Sequence, residues 1–208
     1  MNYIDVIQLE PLQIAAASEI AARAFDADPV FQYLTPDDRE QRFQAVSWQT
    51  HRLMAYCTQY EHIYTTSDLQ GIAAWLPPGE FSSDLRQQFK LVLQLQLYML
   101  PLKVGWNRLG RWLNVLHKTE IAHQQDMGES PCWYLGLMVV NPAMQGQGIG
   151  SRLLQPILQR ARDEDIPCYV VTFTEEAVRF YQKNGFEIAR KQQFAPDAPS
   201  FWTLKRNP

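Results

Sequence analysis

The chain has 208 residues, 46% hydrophobic and 20% charged, which is ordinary globular usage and excludes disordered, collagen-like and disulfide-scaffold classes. That length predicts one domain over residues 1–208 with a full core. With 19 Lys and Arg against 22 Asp and Glu, the net charge of −3 offers no basic footprint for a nucleic-acid backbone, so no nucleic-acid partner is expected.

Cys57, Cys132 and Cys168 lie far apart without CxxC or Cys/His spacing, which predicts reduced thiols in a cytoplasmic protein and neither a disulfide framework nor a metal site. The N-terminal MNYIDVIQLE lacks the apolar run of a secretory signal. The most apolar stretch, Leu91 to Trp106, is broken by Gln94, Gln96, Pro101 and Lys103, short of the roughly 20 apolar residues a membrane span needs, so no membrane partner is expected either.

In chain order, Tyr3 to Leu9 alternates as a strand, and Pro11 opens a helix through Ile14, Ala17, Ile20, Ala21 and Phe25. Asp26, Asp28 and Pro29 break it. A second helix follows Thr35-Pro36-Asp37 and carries Phe43, Val46, Leu53 and Met54 on one side, leaving the loop between the helices as a candidate lip of a site. His62–Thr66 and Gln70–Leu76 read as a hairpin turning at Ser67-Asp68 and closed by Pro77-Pro78-Gly79. Residues 81–131 then read as a helical insertion. The last third is a strand at 132–140, a glycine turn at 146–150, a helix to about Arg162, a strand at 168–173, a helix at 175–183, and strands at 186–191 and 200–205. The βαβ unit inside it predicts parallel pairing of 132–140 with 168–173. Leu135, Leu137 and Val139 are expected on one face of the first of these strands, with Met138 and Val140 opposite. Pro156 is expected to kink the helix it lies in. The 200–205 strand is a candidate sheet edge, leaving the chain a monomer or a homodimer paired there.

The segment LGLMVVNPAMQGQGIGSRLL carries the sharpest signal. Pro142 stops the strand, and Gly146, Gly148 and Gly150 open a helix with an apolar stripe of Ile149, Leu153, Leu154, Ile157, Leu158 and Ala161. Unpaired amides at such a helix start, clear of Cβ atoms, suit the oxygens of a pyrophosphate. The same glycines could also make nothing more than a tight turn. A P-loop would need GK[ST], and Ser151-Arg152 follows Gly150 instead. A dinucleotide fingerprint would need a third glycine where Ser151 stands and an acid at the end of the next strand, which reads Val171-Thr172-Phe173.

Gln145-Gly146-Gln147-Gly148-Ile149-Gly150, after Val140-Asn141-Pro142, resembles the Q/R-x-x-G-x-G/A acetyl-CoA signature of GNAT-superfamily acetyltransferases. Phe180-Tyr181-Gln182-Lys183-Asn184-Gly185-Phe186 resembles that family's later FYxxxGF motif. Pro156, Ala24-Phe25, Ala74-Trp75-Leu76 and the insertion further resemble the puromycin N-acetyltransferase-like branch. The resemblance implies a mixed α/β GNAT-like fold, a mostly antiparallel central sheet flanked by helices, with one parallel, splayed strand pair. Residues 132–191 would be its cofactor-binding core. It further implies acetyl-CoA as co-substrate, the pantetheine arm bonding backbone near Met138, Val139 and Val140, and the pyrophosphate lying on amides from Gln145 to Ser151. An amide near Val140 would hold the oxyanion, and Tyr181 would be the catalytic acid for the departing thiolate. Gln147 stands where many relatives carry Lys or Arg; Arg152 could supply that charge.

The implied activity is acetyl transfer to the amine of a small molecule. An O-acetyltransferase and a non-catalytic CoA-binding sensor stay open. Strand 132–140 has no carboxylate, so the base is open among Asp26, Asp28, His117, Glu120, His123 and Tyr134 acting through water. The lip and residues 81–131, rich in Leu, Met and Trp including Trp106 and Trp112, are expected to enclose an apolar or aromatic acceptor.

Overall fold

The computed structural model describes residues 5–80 and 91–208. The first residues of the expected opening strand and residues 81–90 of the expected insertion lie outside these. Strand β1 (Val6–Gln8) leads through a 3-10 turn to α1 (Ile14–Ala24); α2 (Pro29–Leu34) and α3 (Arg39–Cys57) follow. Strands β2 (Ile63–Thr66) and β3 (Gly71–Leu76) form the hairpin, and α4 (Leu100–Val104) and α5 (Trp106–Met127) occupy the insertion. Then come β4 (Trp133–Val140), α6 (Ile149–Glu164), β5 (Cys168–Thr172), α7 (Glu175–Lys183), β6 (Glu187–Gln193) and β7 (Ser200–Arg206).

The seven strands form one sheet in the order β1-β2-β3-β4-β5-β7-β6. Every pairing is antiparallel except β4 with β5, the pair bridged by α6. The expected mixed fold with one parallel pair is thus present. Residues 200–205, a candidate edge, lie inside the sheet: the chain turns back after β6 and inserts β7 between it and β5, so β1 and β6 are the edges. A strand-paired dimer would have to form on one of those.

Helices cover both faces. On one, Ile149, Leu153, Leu154 and Ile157 of α6 and Val178 of α7 pack on Trp75, Trp133 and Leu135. On the other, Ile14, Ala17 and Ala21 of α1 and Met54 and Cys57 of α3 pack on Ile72, Ala74, Leu137 and Val139. Leu135 and Leu137 therefore face opposite sides, unlike the expected alternation. The cause is a bulge: Trp75 pairs with Leu135 and Ala74 with Leu137, so Gly136 is an extra residue on β4 that shifts every later side chain to the other face. Helix α6 runs unbroken from Ile149 to Glu164 through Pro156. Pro156 lacks the N–H that would bond inside the helix, and the apolar stripe holds the turn against the sheet.

A third cluster fixes the insertion. Trp112, Val115 and Ala122 of α5 pack with Val30 and Leu34 of α2, with Phe201 of β7 and with Phe194 just after β6. The Trp112 indole N–H donates to the Leu34 carbonyl at 2.9 Å, and Arg108 pairs with Asp37 at 2.9 Å. Helix α5 is thereby latched onto the lip.

Candidate active site

Pairing of β4 with β5 ends at Leu135 and Val170, although β4 runs on to Val140 and β5 to Thr172. The strands part at the Gly136 bulge, and the gap opens into a cavity of about 540 Å³. Residues 134–138 and 170–174 form its sheet wall; α2, α3, α5 and α7 supply the others.

The register decides which backbone groups face this gap. Asn141 N–H donates to the Gln70 carbonyl at 2.8 Å, which makes Val139/Ile72 and Leu137/Ala74 the pairs that exchange bonds with β3. The N–H and C=O of Met138 and Val140 accordingly point into the gap. The backbone of Val139 is committed to β3 and its side chain to the α1/α3 face. Gln145 contributes its side chain, whose Nε2 donates to the Val140 carbonyl at 3.3 Å.

Beyond β4, Asn141 starts a 3-10 turn over Pro142–Met144 by accepting from Ala143 N–H at 3.2 Å. Gly146 and Gly148 follow with φ of +78° and +81°. A Cβ at either would meet no atom within 4 Å, so it is the left-handed backbone that calls for glycine there, not crowding. Gly150 is the reverse case: a Cβ would come within 3.0 Å of the Met138 methyl and the Phe180 ring. Among the described residues, the N–H groups of Gly146, Gln147, Gly148, Ile149, Gly150 and Ser151 have no partner. Six consecutive open amides at the positive end of a 16-residue helix make an anion cradle.

Helix α7 is capped by Thr174, which accepts from Ala177 N–H at 3.2 Å, and ends at Gly185 with φ +84°. It sets Phe180 against Gly150 and turns Tyr181 to the cavity. The Tyr181 ring is 5% exposed, edge-on to Phe180 and Phe186 at 5.1 and 5.5 Å. Its hydroxyl has no hydrogen-bond partner among the described residues, and burial pushes its pKa above the ordinary phenol value. It is at once a packed aromatic and a wall of the cavity.

Of the candidate bases, Asp28 and Tyr134 line the cavity. The Asp28 carboxylate caps α2, accepting from Val30 and Phe31 N–H at 2.8 and 3.2 Å. Desolvation outweighs those bonds and raises its pKa above the usual carboxylate value. Asp26 is instead paired with Arg39 and Arg42 at 2.9 and 3.3 Å. His117 and Glu120 stand outside the lining, and His123 is buried behind it against Tyr134, Tyr169 and Cys132. Trp112 lines the cavity, whereas Trp106 is 75% exposed away from it. Sequence reasoning missed two features: the Gly136 bulge, which opens the gap, and Gln49 of α3, which lines it. Neither has a local sequence signal.

Residues 114–188 match the family model described as acetyltransferase (GNAT) domain. A Dictyostelium discoideum protein described as a probable serine/threonine-protein kinase is 23% identical over 206 residues, covering 89% of this chain and 21% of that protein. An uncharacterized N-acetyltransferase of Schizosaccharomyces pombe is 24% identical over 186 residues, covering 86% and 72%. The chain thus spans about a fifth of the length of the first and nearly three quarters of the second. Among solved structures, a Drosophila melanogaster polyamine N-acetyltransferase that forms N-acetylagmatine superposes with TM-score 0.70 at 14% identity, over 99% of this chain and 100% of that one. Arylalkylamine N-acetyltransferase 2 from Aedes aegypti superposes with TM-score 0.67 at 12% identity, over 99% of both. At such identities the likeness is one of fold. The chain has the GNAT fold, and within it residues 114–188 match the acetyltransferase (GNAT) domain model.

Proposed function

We propose that this chain is an acetyl-CoA-dependent N-acetyltransferase that moves the acetyl group to the amine of a small molecule. The observation that carries the reading is the parting of β4 from β5, which opens a cavity lined by Met138, by the buried carboxyl of Asp28 and by the buried phenol of Tyr181, on the strand that leads into the open amide run. The amide run from Gly146 to Ser151 fits a pyrophosphate, and the outward backbone groups of Met138 and Val140 fit the amides of a pantetheine arm. Gln145 steadies the Val140 carbonyl. Acetyl-CoA would supply an acyl group activated as a thioester.

In this scheme Asp28 accepts the amine proton as the N–C bond forms, and the Tyr181 hydroxyl donates to the sulfur as the C–S bond breaks. A proton returning from Asp28 to Tyr181 through water restores both. The raised pKa of Tyr181 keeps it a donor. It does not spoil the match to the leaving thiolate, because desolvation pushes thiols up as well: Cys57, Cys132 and Cys168 are all pushed up to about 12 by burial in this protein. The three free buried thiols support a cytoplasmic setting. Among the described residues no helix is long and apolar enough to cross a membrane.

The test is release of free CoA thiol from acetyl-CoA against a panel of arylalkylamines, polyamines, aminonucleosides and amino acids. Acceptor-dependent release with the mass of the N-acetyl product is the expected result. CoA binding by calorimetry without release on any acceptor would identify a sensor instead, and release only with alcohols an O-acetyltransferase. Aminonucleosides in the panel test the puromycin N-acetyltransferase-like placement.

A further inference from the structure

Within the cavity, Gln49 of α3 stands out. Its Oε1 is buried and has no hydrogen-bond partner, and no bond from its Nε2 is present among the described residues. Because the amide is unpaired at both ends, exchanging its oxygen and nitrogen leaves the same deficit. The neighbouring hydroxyls are satisfied within their own helices: Thr50 Oγ1 donates to the Val46 carbonyl and Thr119 Oγ1 to the Val115 carbonyl, both at 2.9 Å. A buried amide oxygen left unbonded is costly, and the half-buried side chain lies on the wall of an open cavity, where its amide is within reach of a ligand.

The charges around it narrow what that ligand can be. Among the described residues only Asp28 and Glu176 bring charge to the lining. Asp28 already accepts two backbone N–H groups, and Glu176 is 79% exposed and pairs with Arg179 at 2.9 Å. A second ammonium deep in the cavity would lack a counter-charge, and with no described Lys or Arg in the lining a carboxylate would lack one too. The wall on the lip and insertion side is mostly apolar and includes Phe25, Val30, Phe31, Leu34, Trp112 and Val115.

Resting on the acetyltransferase reading above, we propose that the acceptor is a monoamine with an apolar, aromatic-sized body bearing one uncharged hydrogen-bonding group, and that the Gln49 side-chain amide reads that group. A polyamine or a guanidino-amine, the class named for structural neighbours, does not suit this lining. Gln49 is a specificity residue here, taking no part in proton transfer.

The experiment compares 2-phenylethylamine, its meta- and para-hydroxylated forms, putrescine, agmatine and phenylalanine in the thiol-release assay, for the wild-type chain and for Gln49→Leu. Expected are kcat/KM values highest for a hydroxylated phenylethylamine, about 10-fold or more above the unsubstituted one, and a ratio near one in Gln49→Leu with the unsubstituted amine still turned over. A preference for putrescine, agmatine or phenylalanine, or an unchanged ratio in Gln49→Leu, would overturn the proposal. Gln49→Met, with CoA affinity by calorimetry as the folding control, replaces the leucine variant should that one fail to fold. If no amine releases thiol, the acetyltransferase reading fails by itself; calorimetric binding of the same amines in the presence of CoA then still decides the cavity claim, with equal affinity of hydroxylated and unsubstituted forms refuting it.

Discussion

Tyr181 and Asp28 both sit where water is scarce, and the effect on each follows from the sign of its charge change. Burial raises the phenol and the carboxyl alike, because it disfavours the anion. For Tyr181 this preserves the proton it is proposed to donate. Removing only the hydroxyl in Tyr181→Phe leaves the contacts with Phe180 and Phe186 in place, so kcat should fall roughly 10²-fold while acetyl-CoA affinity measured by calorimetry is unchanged. Near-wild-type turnover would reduce Tyr181 to a packing residue. For Asp28 the raised pKa means that holding it ionised costs stability at neutral pH. Its favourable linkage term is complete only below the unfolded pKa and is lost as pH rises through the folded one. Asp28→Asn keeps a cap of equal quality for α2 and removes the charge. The melting temperature should therefore hold or rise while kcat falls at least about 10²-fold, and a parallel loss of both would make Asp28 structural only.

At the level of elements, the loop from β4 to α6 separates two reasons for glycine. Gly148→Ala forces a Cβ onto a φ of +81° in open space, straining the backbone that aims the amide run, whereas Gly150→Ala presses on Phe180 and Met138 without touching that conformation. Gly148→Ala should weaken CoA binding about 10-fold or more with little loss of thermal stability; unchanged calorimetric affinity would mean the cradle holds no phosphate. This loop and the FYxxxGF helix were legible in the sequence because their geometry is local: a left-handed turn and a helix stop each need glycine in place. The β4 bulge was not, since Gly136 looks like any small strand residue and the shift exists only against the register of β3. The interior place of β7 was hidden for the same reason, as neither end of 200–205 says which strands flank it. Asp28 was visible as a candidate and Gln49 not at all, because their meeting in one cavity depends on how α2 and α3 cross the open end of the sheet.

Across the whole molecule, the helix that roofs the cavity is pinned to the far side of the sheet by a buried polar knot. Asp126 of α5, 3% exposed, accepts from Tyr169 of β5 at 3.1 Å, from Thr203 of β7, and from Arg190 of β6 at 3.0 and 3.1 Å. One turn earlier His123 lies 3.4 Å from the Cys132 sulfur and edge-on to Tyr169 at 4.9 Å. Desolvation lowers the His123 pKa from 6.5 to about 4, against a smaller raising pull from Asp126. The imidazole is thus neutral in the fold at neutral pH, able to accept the Cys132 S–H, whose own pKa is pushed up to about 12. A folded pKa below the unfolded one means this contribution is complete above pH 6.5 and is lost as pH falls toward about 4, on the order of 3 kcal/mol. His123→Phe keeps an aromatic ring against Tyr169 and cannot titrate. Carboxylates titrate alike in both proteins, so the difference between their melting curves isolates the histidine. Between pH 6.5 and 4 the wild-type chain should lose roughly 6–12 °C more in Tm than His123→Phe, and curves that fall in parallel would show that the roof is not held by a neutral imidazole.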